Sequence, residues 1–187
     1  MRLNEPRIAP LALEAMDEEQ RALVEPTRNN GEVMNVFATL ARHPKLLKRW
    51  RPLFSHVLFK SSLSPRDREL AILRTAVKCR ADYEWGQHVP IGLEAGLSEE
   101  EIADIAAGPA AAGWSAHESA LLTAVDELLD DSFISDATWQ ALSAGYDETR
   151  FTDLIFCVGQ YKLVAMALNS YGVQFDERLP ETHHRVP

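Results

Sequence analysis

Two short segments of this chain hold residues whose types and spacing could move protons. They are Arg66-Asp67-Arg68-Glu69-Leu70 and Tyr83-Glu84-Trp85-Gly86-Gln87-His88. Glu84 and His88 are four residues apart, so on a helix they share a face. Carboxylate plus imidazole is a set for general acid–base chemistry, not for hydride or phosphoryl transfer. Glu69 has Ile72, Leu73 and Ala76 at +3, +4 and +7, which sets its carboxyl on an apolar stripe. Burial disfavours the charged form, so its pKa is expected to rise and make an acid available near neutral pH. The spacing equally allows a structural ion pair with Arg66, Arg68 or Arg74.

Each of the other residues also has a plainer reading. Glu84 falls in a first helical turn, where the helix dipole favours any carboxylate. His88 could be a satisfied core histidine, although the carboxylate one turn earlier could orient its ring. Tyr83 and Trp85 flank Glu84 as wall and core, with the Tyr83 hydroxyl as an extra donor. Cys79 reads as a small buried hydrophobe, and Cys157 as core. Pro90 removes a backbone donor inside the His88 helix and should free the Gly86 carbonyl.

The elements that must position these groups all read as helix. Ala, Leu and Glu dominate, and long period-two β-branched runs are absent. Asp17 caps a short helix to Val24, and Asn29-Asn30-Gly31 marks a turn. Further helices are expected over Val36–Ala41 and Leu46–Lys60. Ser64 and Pro65 open the Glu69 helix, which runs to about Arg80. Asp82 is expected to cap the Glu84 helix, which Gly96 stops. A capping box at Ser98 opens a helix to about Ala107. Then come Ser115–Asp130, Ser135–Ala144 and a long apolar helix from Glu148 to about Tyr171. The expected architecture is an all-α, single-domain bundle of about eight helices over 1–187, with a core of about 30–175. Residues 1–30 form an N-terminal extension, and 178–187 a loose tail.

Composition narrows the function. A chain of 187 residues with 46% hydrophobic residues suits one domain with a real core. The formal charge of −9 argues against nucleic acid and against anionic lipid, but not against a small anion held by a few arginines. No signal peptide is expected, and no uninterrupted apolar stretch approaches the roughly 20 residues of a bilayer span. The two cysteines are far apart and form no CxxC, which fits a cytoplasmic protein without disulfides. No HExxH or Cys/His cluster suggests zinc, and His183-His184 is too short for a tag or metal site.

Taken in order, Asn35-Val36-Phe37, His43-Pro44, Arg68-Glu69-Leu70, Tyr83-Glu84-Trp85-x-x-His88, Gly96-Leu97-Ser98, Asp126-Glu127-Leu128, Ser135-Asp136-x-x-Trp139 and Gln160-Tyr161 resemble the carboxymuconolactone decarboxylase family, which includes the alkylhydroperoxidase D proteins. The resemblance implies an alkylhydroperoxidase D-like, all-α, homo-oligomeric fold without metal or organic cofactor. It makes Glu69 and His88 the proton-relay pair. The peroxidase CxxC falls on Ala81 and Glu84, so both redox cysteines are missing. Dithiol peroxidase chemistry needs an attacking and a resolving thiol.

The resemblance therefore points to a cofactor-free acid–base enzyme acting on a small carboxylated or lactone-like metabolite, by decarboxylation or a related proton transfer. Glu69 and His88 are its main catalytic candidates, with Glu84 as an orienting or second acid. Arg74 or Arg68 could grip a substrate carboxylate, although either could instead be structural. One alternative is an antioxidant peroxidase using Cys79 and an outside thiol. The other is a non-catalytic oligomer that binds a ligand.

Overall fold

The computed structural model describes residues 2–29, 31–180 and 185–186. His183 and His184 lie outside the described residues. Nine α-helices appear among the described residues. They are α1 (Glu18–Val24), α2 (Asn35–Leu40), α3 (Pro44–Phe59), α4 (Pro65–Cys79), α5 (Asp82–Glu94), α6 (Glu99–Ala107), α7 (Ala116–Asp130), α8 (Asp136–Leu142) and α9 (Glu148–Tyr171). A two-residue hairpin pairs Arg28–Asn29 with Glu32–Val33, and Gly31 in its turn takes φ 88°. The all-α expectation holds.

Side chains cap the helices where orphan backbone donors need them. Asp17, Ser98 and Ser115 close capping boxes on α1, α6 and α7, and Ser64 caps α4 ahead of Pro65. One cap differs from expectation. Asp82 is the first residue of α5, and the cap position is Ala81, which offers no side-chain acceptor. Asp82 instead accepts a bond from the Val186 amide at 3.1 Å.

Helix α4 is the centre of the molecule, packed against α5, α7 and α9. Its Leu70, Ala71, Ile72 and Leu73 are all fully buried. Each large apolar side chain removed from water contributes roughly 1.5–3 kcal/mol. A second apolar cluster joins the N-terminal segment to α2 and α3, through Met16, Val24, Phe37 and Leu47. The tail expected to be loose from residue 178 is fastened at its start. Leu179 is buried, and Arg178 donates to Gln87 Oε1 at 3.0 Å.

Helix α9 has the length and composition to cross a bilayer, closer to a span than the sequence suggested. Half of its most apolar window is buried within the fold, including Leu154, Val158 and Ala165. Its other side exposes Ile155, Phe156, Leu163 and Met166.

Candidate active site

The site forms where α4 and α5 lie side by side. Gly92, one turn after His88, allows their close approach. A Cβ there would come within 3.1 Å of the Leu73 and Leu97 side chains. The approach brings together two residues 19 apart in the chain. His88 Nδ1 lies 2.7 Å from Glu69 Oε2. Arg68 Nε donates to the other oxygen, Oε1, at 2.9 Å. Glu69 is fully buried and His88 nearly so.

These partners overturn the expected rise in the Glu69 pKa. Burial alone pushes it up, but the His88 ring and the Arg68 guanidinium together hold the carboxyl below its ordinary value. An ionised Glu69 accepts a hydrogen bond from Nδ1–H and fixes the ring. In the neutral ring, Nε2 then carries the free lone pair. Among the described residues it has no hydrogen-bond partner.

Glu84 behaves in the opposite way. It is 2% exposed, and neither carboxyl oxygen has a partner among the described residues. Burial lifts its pKa well above the ordinary carboxyl value, with no opposing contribution. The carboxyl whose pKa is raised is therefore Glu84, where the sequence pointed to Glu69. The hydroxyl of Tyr161 is also buried without a partner, and its ring meets His88 edge-on at a centroid distance of 5.0 Å. Sequence reasoning missed Tyr161 as a site residue. Its place on an apolar helix gives no signal apart from the Gln160-Tyr161 pair.

Glu84, His88 and Tyr161 line one cavity of about 560 Å³. This is within the roughly 300–1,000 Å³ of small-molecule sites. Its walls include Phe37, Trp50, Phe54 and Leu58, with Arg178 and Leu179 from the tail. A smaller cavity of about 160 Å³ between α2, α3 and α9 has no carboxylate, imidazole or cation in its lining. Among the described residues no group of three His, Cys, Asp or Glu side chains could hold a metal ion.

The other expected site residues fall in different places. Tyr83 does line the cavity, but its hydroxyl donates to Asp176 Oδ2 at 2.7 Å, so it is wall rather than a free donor. Asp176, which the sequence did not flag, also accepts from the Asn35 amide at 2.7 Å and from Gln87 Nε2. Arg74 is outside the cavity lining. Its guanidinium grips Asp126 with two bonds of 2.7 Å and donates to the Ile105 carbonyl. Gly108 at φ 94° makes room for that guanidinium, since a Cβ would stand 2.8 Å from Nη2. Arg68 is also outside the lining and is committed to Glu69. Cys79 does not line the cavity either, and burial pushes its thiol pKa up. Cys157 is fully buried.

Comparison with known proteins bears on the family and the fold. Residues 44–127, which carry Glu69, Glu84 and His88, match the carboxymuconolactone decarboxylase family. No curated protein matches the chain. Among solved structures, the chain resembles an alkylhydroperoxidase AhpD core, peroxidase-related protein from Ralstonia eutropha JMP134, at 20% identity and TM-score 0.79, covering 91% of this chain and 93% of that one. A peroxidase-related protein from Silicibacter sp. TM1040 aligns at 16% identity and TM-score 0.75, covering 98% and 93%. The debrominase Bmp8, in complex with 2,3,4-tribromopyrrole, aligns at 14% identity and TM-score 0.72, covering 93% and 94%. At such identities the likeness is one of fold. The segment bearing the candidate site is a carboxymuconolactone decarboxylase family segment, set in a fold shared with AhpD-like proteins.

Proposed function

We propose that this protein is a cofactor-free acid–base enzyme acting on a small carboxylated or lactone-like metabolite, by decarboxylation or a related proton transfer. One observation carries the reading. Glu84 is a buried carboxyl with no partner, on the same cavity wall as a histidine whose ring is fixed from behind by Glu69. An unsatisfied buried carboxyl costs stability, and such a cost is expected where a group acts on a ligand.

In decarboxylation, the bond from the substrate carbon to its carboxylate breaks. Carbon dioxide leaves, and the electron pair stays on the conjugated carbon. The proton of Glu84 forms the new carbon–hydrogen bond, and a solvent proton restores the acid. In an isomerisation, His88 Nε2 removes a proton beside a carbonyl, Glu84 protonates the other end, and proton exchange with solvent returns His88 to its neutral form and Glu84 to its acid form. The Tyr161 hydroxyl donates to the developing oxyanion. Glu69 stays ionised throughout and steadies the ring.

The peroxidase alternative has less support, because Cys79 is off the cavity and its thiolate is disfavoured. The free cysteines are consistent with a cytoplasmic protein. The exposed apolar residues of α9 would suit a homo-oligomer contact.

The test is turnover of a panel of carboxylated lactones and organic hydroperoxides by wild type, Glu84→Gln, His88→Ala and Cys79→Ser. Lactone turnover that survives Cys79→Ser and is lost in the other two supports the reading. Hydroperoxide turnover that disappears with Cys79→Ser contradicts it.

A further inference from the structure

The arginines of this protein divide into two groups. Arg66, Arg68 and Arg74 on α4 are each bound to a carboxylate, of Glu101 and Glu118, Glu69 and Asp126 respectively. None of the three lines the large cavity. Three other arginines do line it: Arg28, Arg51 and Arg178. Arg28 is paired with Glu25. Arg51 and Arg178 have only neutral partners among the described residues. Arg51 Nη1 donates to the Leu23 carbonyl at 2.8 Å, and Arg178 Nη2 donates to the Gln87 amide oxygen at 3.0 Å.

The cavity therefore inverts the charge of the chain that encloses it. The protein carries −9 overall. The carboxyls in the lining are Glu84, which burial pushes toward its neutral form, and Glu94. Three arginines stand in the same lining. A guanidinium without a counter-ion beside an apolar cavity attracts an organic oxyanion, which it binds through paired N–H donors.

The chemistry restricts which anion this can be. A carboxylate that leaves as carbon dioxide loses its charge in the transition state. Holding it with arginines would stabilise the starting state and slow the reaction. The arginines therefore suit an anionic group that remains through the reaction.

We propose that Arg51 and Arg178 form a carboxylate-binding subsite that holds a retained carboxylate of the substrate, away from the carbon that reacts at Glu84 and His88. Phe37, Trp50 and Phe54 receive the apolar body between the two ends. Gln87 and Asp176 position Arg178. Asp176 accepts from Gln87, and Gln87 presents its oxygen to the guanidinium. The start of the C-terminal tail thus supplies a specificity-determining residue. This proposal rests on Glu84 and His88 being the reacting end.

The test uses binding rather than turnover. The probes are 3-phenylpropanoate and its neutral isostere, 3-phenylpropanamide, followed by ligand-detected NMR titration. In wild type the acid should bind at least about tenfold more tightly than the amide. In Arg51→Gln/Arg178→Gln that ratio should fall to near one while amide binding is unchanged. Arg178→Gln alone should lower the ratio part of the way. Arg51→Lys, which keeps the charge, should retain most of it. Arg49→Gln, an exposed α3 control outside the cavity lining, should leave the ratio as it was.

Equal affinity for acid and amide in wild type overturns the proposal, as does failure of the acid to bind. A ratio that survives the double substitution, or that falls equally in the Arg49 control, also overturns it. Glu84→Gln separates the two readings. If lactone turnover proves insensitive to Glu84→Gln while the binding ratio depends on Arg51 and Arg178, only the acid–base assignment fails. Lost preference with the Glu84 requirement intact fails only the subsite.

Discussion

Glu69 and Glu84 are both buried glutamates, one on each of two adjacent helices, and they have opposite surroundings. Glu69 on α4 has an imidazole on one oxygen and a guanidinium on the other. Glu84 on α5 has neither. Burial acts on both in the same direction, so the partners decide the difference. Glu69 becomes a fixed negative charge that orients His88. The Glu84 carboxyl is pushed toward its neutral form. The comparison shows that burial alone does not make an acid. What matters is whether the protein supplies a counter-charge.

The largest effect expected from breaking this comparison is on turnover. His88→Ala and Glu84→Gln should each lower kcat by about 10²–10⁴-fold, the usual contribution of a positioned acid or base. Glu69→Gln should fall in the same range, and its pH–rate profile should change as well, because the His88 ring loses its anchor. Unchanged kcat in Glu84→Gln would reverse the roles assigned to the two carboxyls.

Next in size is Arg74→Gln. It should cost about 3 kcal/mol of stability, because it leaves Asp126 without its bidentate partner. Probe binding in the cavity should not change. A loss of binding with unchanged stability would restore Arg74 as a substrate residue.

The pH dependence of stability separates the two carboxyls further. A raised folded pKa means that the unfolded chain loses its proton first. Above the ordinary carboxyl value of about 4.3, Glu84 should therefore reduce stability by on the order of 1 kcal/mol per pH unit, until its folded pKa is reached. Glu84→Gln should remove this decline and melt at a higher temperature than wild type near neutral pH. Glu69 has the opposite sign. Its stabilisation is present above the unfolded value and is lost as pH falls through the lowered folded value. Thermal melts of both variants from acid to neutral pH measure these slopes. The smallest stability effect is that of Tyr161→Phe, which removes a hydroxyl with no partner and should leave stability unchanged or raised. A drop of about tenfold in kcat from the same change would place the hydroxyl on the substrate.

The sequence revealed the scaffold better than the chemistry. Capping residues such as Asp17, Ser64 and Ser98 act locally, so the helices could be read from them. The spacing of Glu69 against Ile72, Leu73 and Ala76 correctly predicted its burial. What could not be read was which partner lies across the helix interface. Arg68 precedes Glu69 in the chain, yet its bond to Oε1 depends on side-chain direction. Arg74 meets Asp126 and the α6 carbonyls only once α4, α6 and α7 are packed. Arg51 and Arg178 gave no local signal at all. They stand 127 positions apart in sequence number and line the same cavity only once the start of the tail meets α5.

The central claim is that Glu84 holds its proton near neutral pH while Glu69 does not. Carbon-13 NMR of the glutamate side-chain carboxyls, titrated in wild type and assigned with Glu84→Gln and Glu69→Gln, tests it directly. The account predicts one carboxyl carbon that stays at the protonated shift well above the ordinary range and is missing from Glu84→Gln. It also predicts that the Glu69 signal remains ionised to below that range. A spectrum in which every glutamate is ionised at neutral pH, or in which the late-titrating carbon belongs to Glu69, would contradict it.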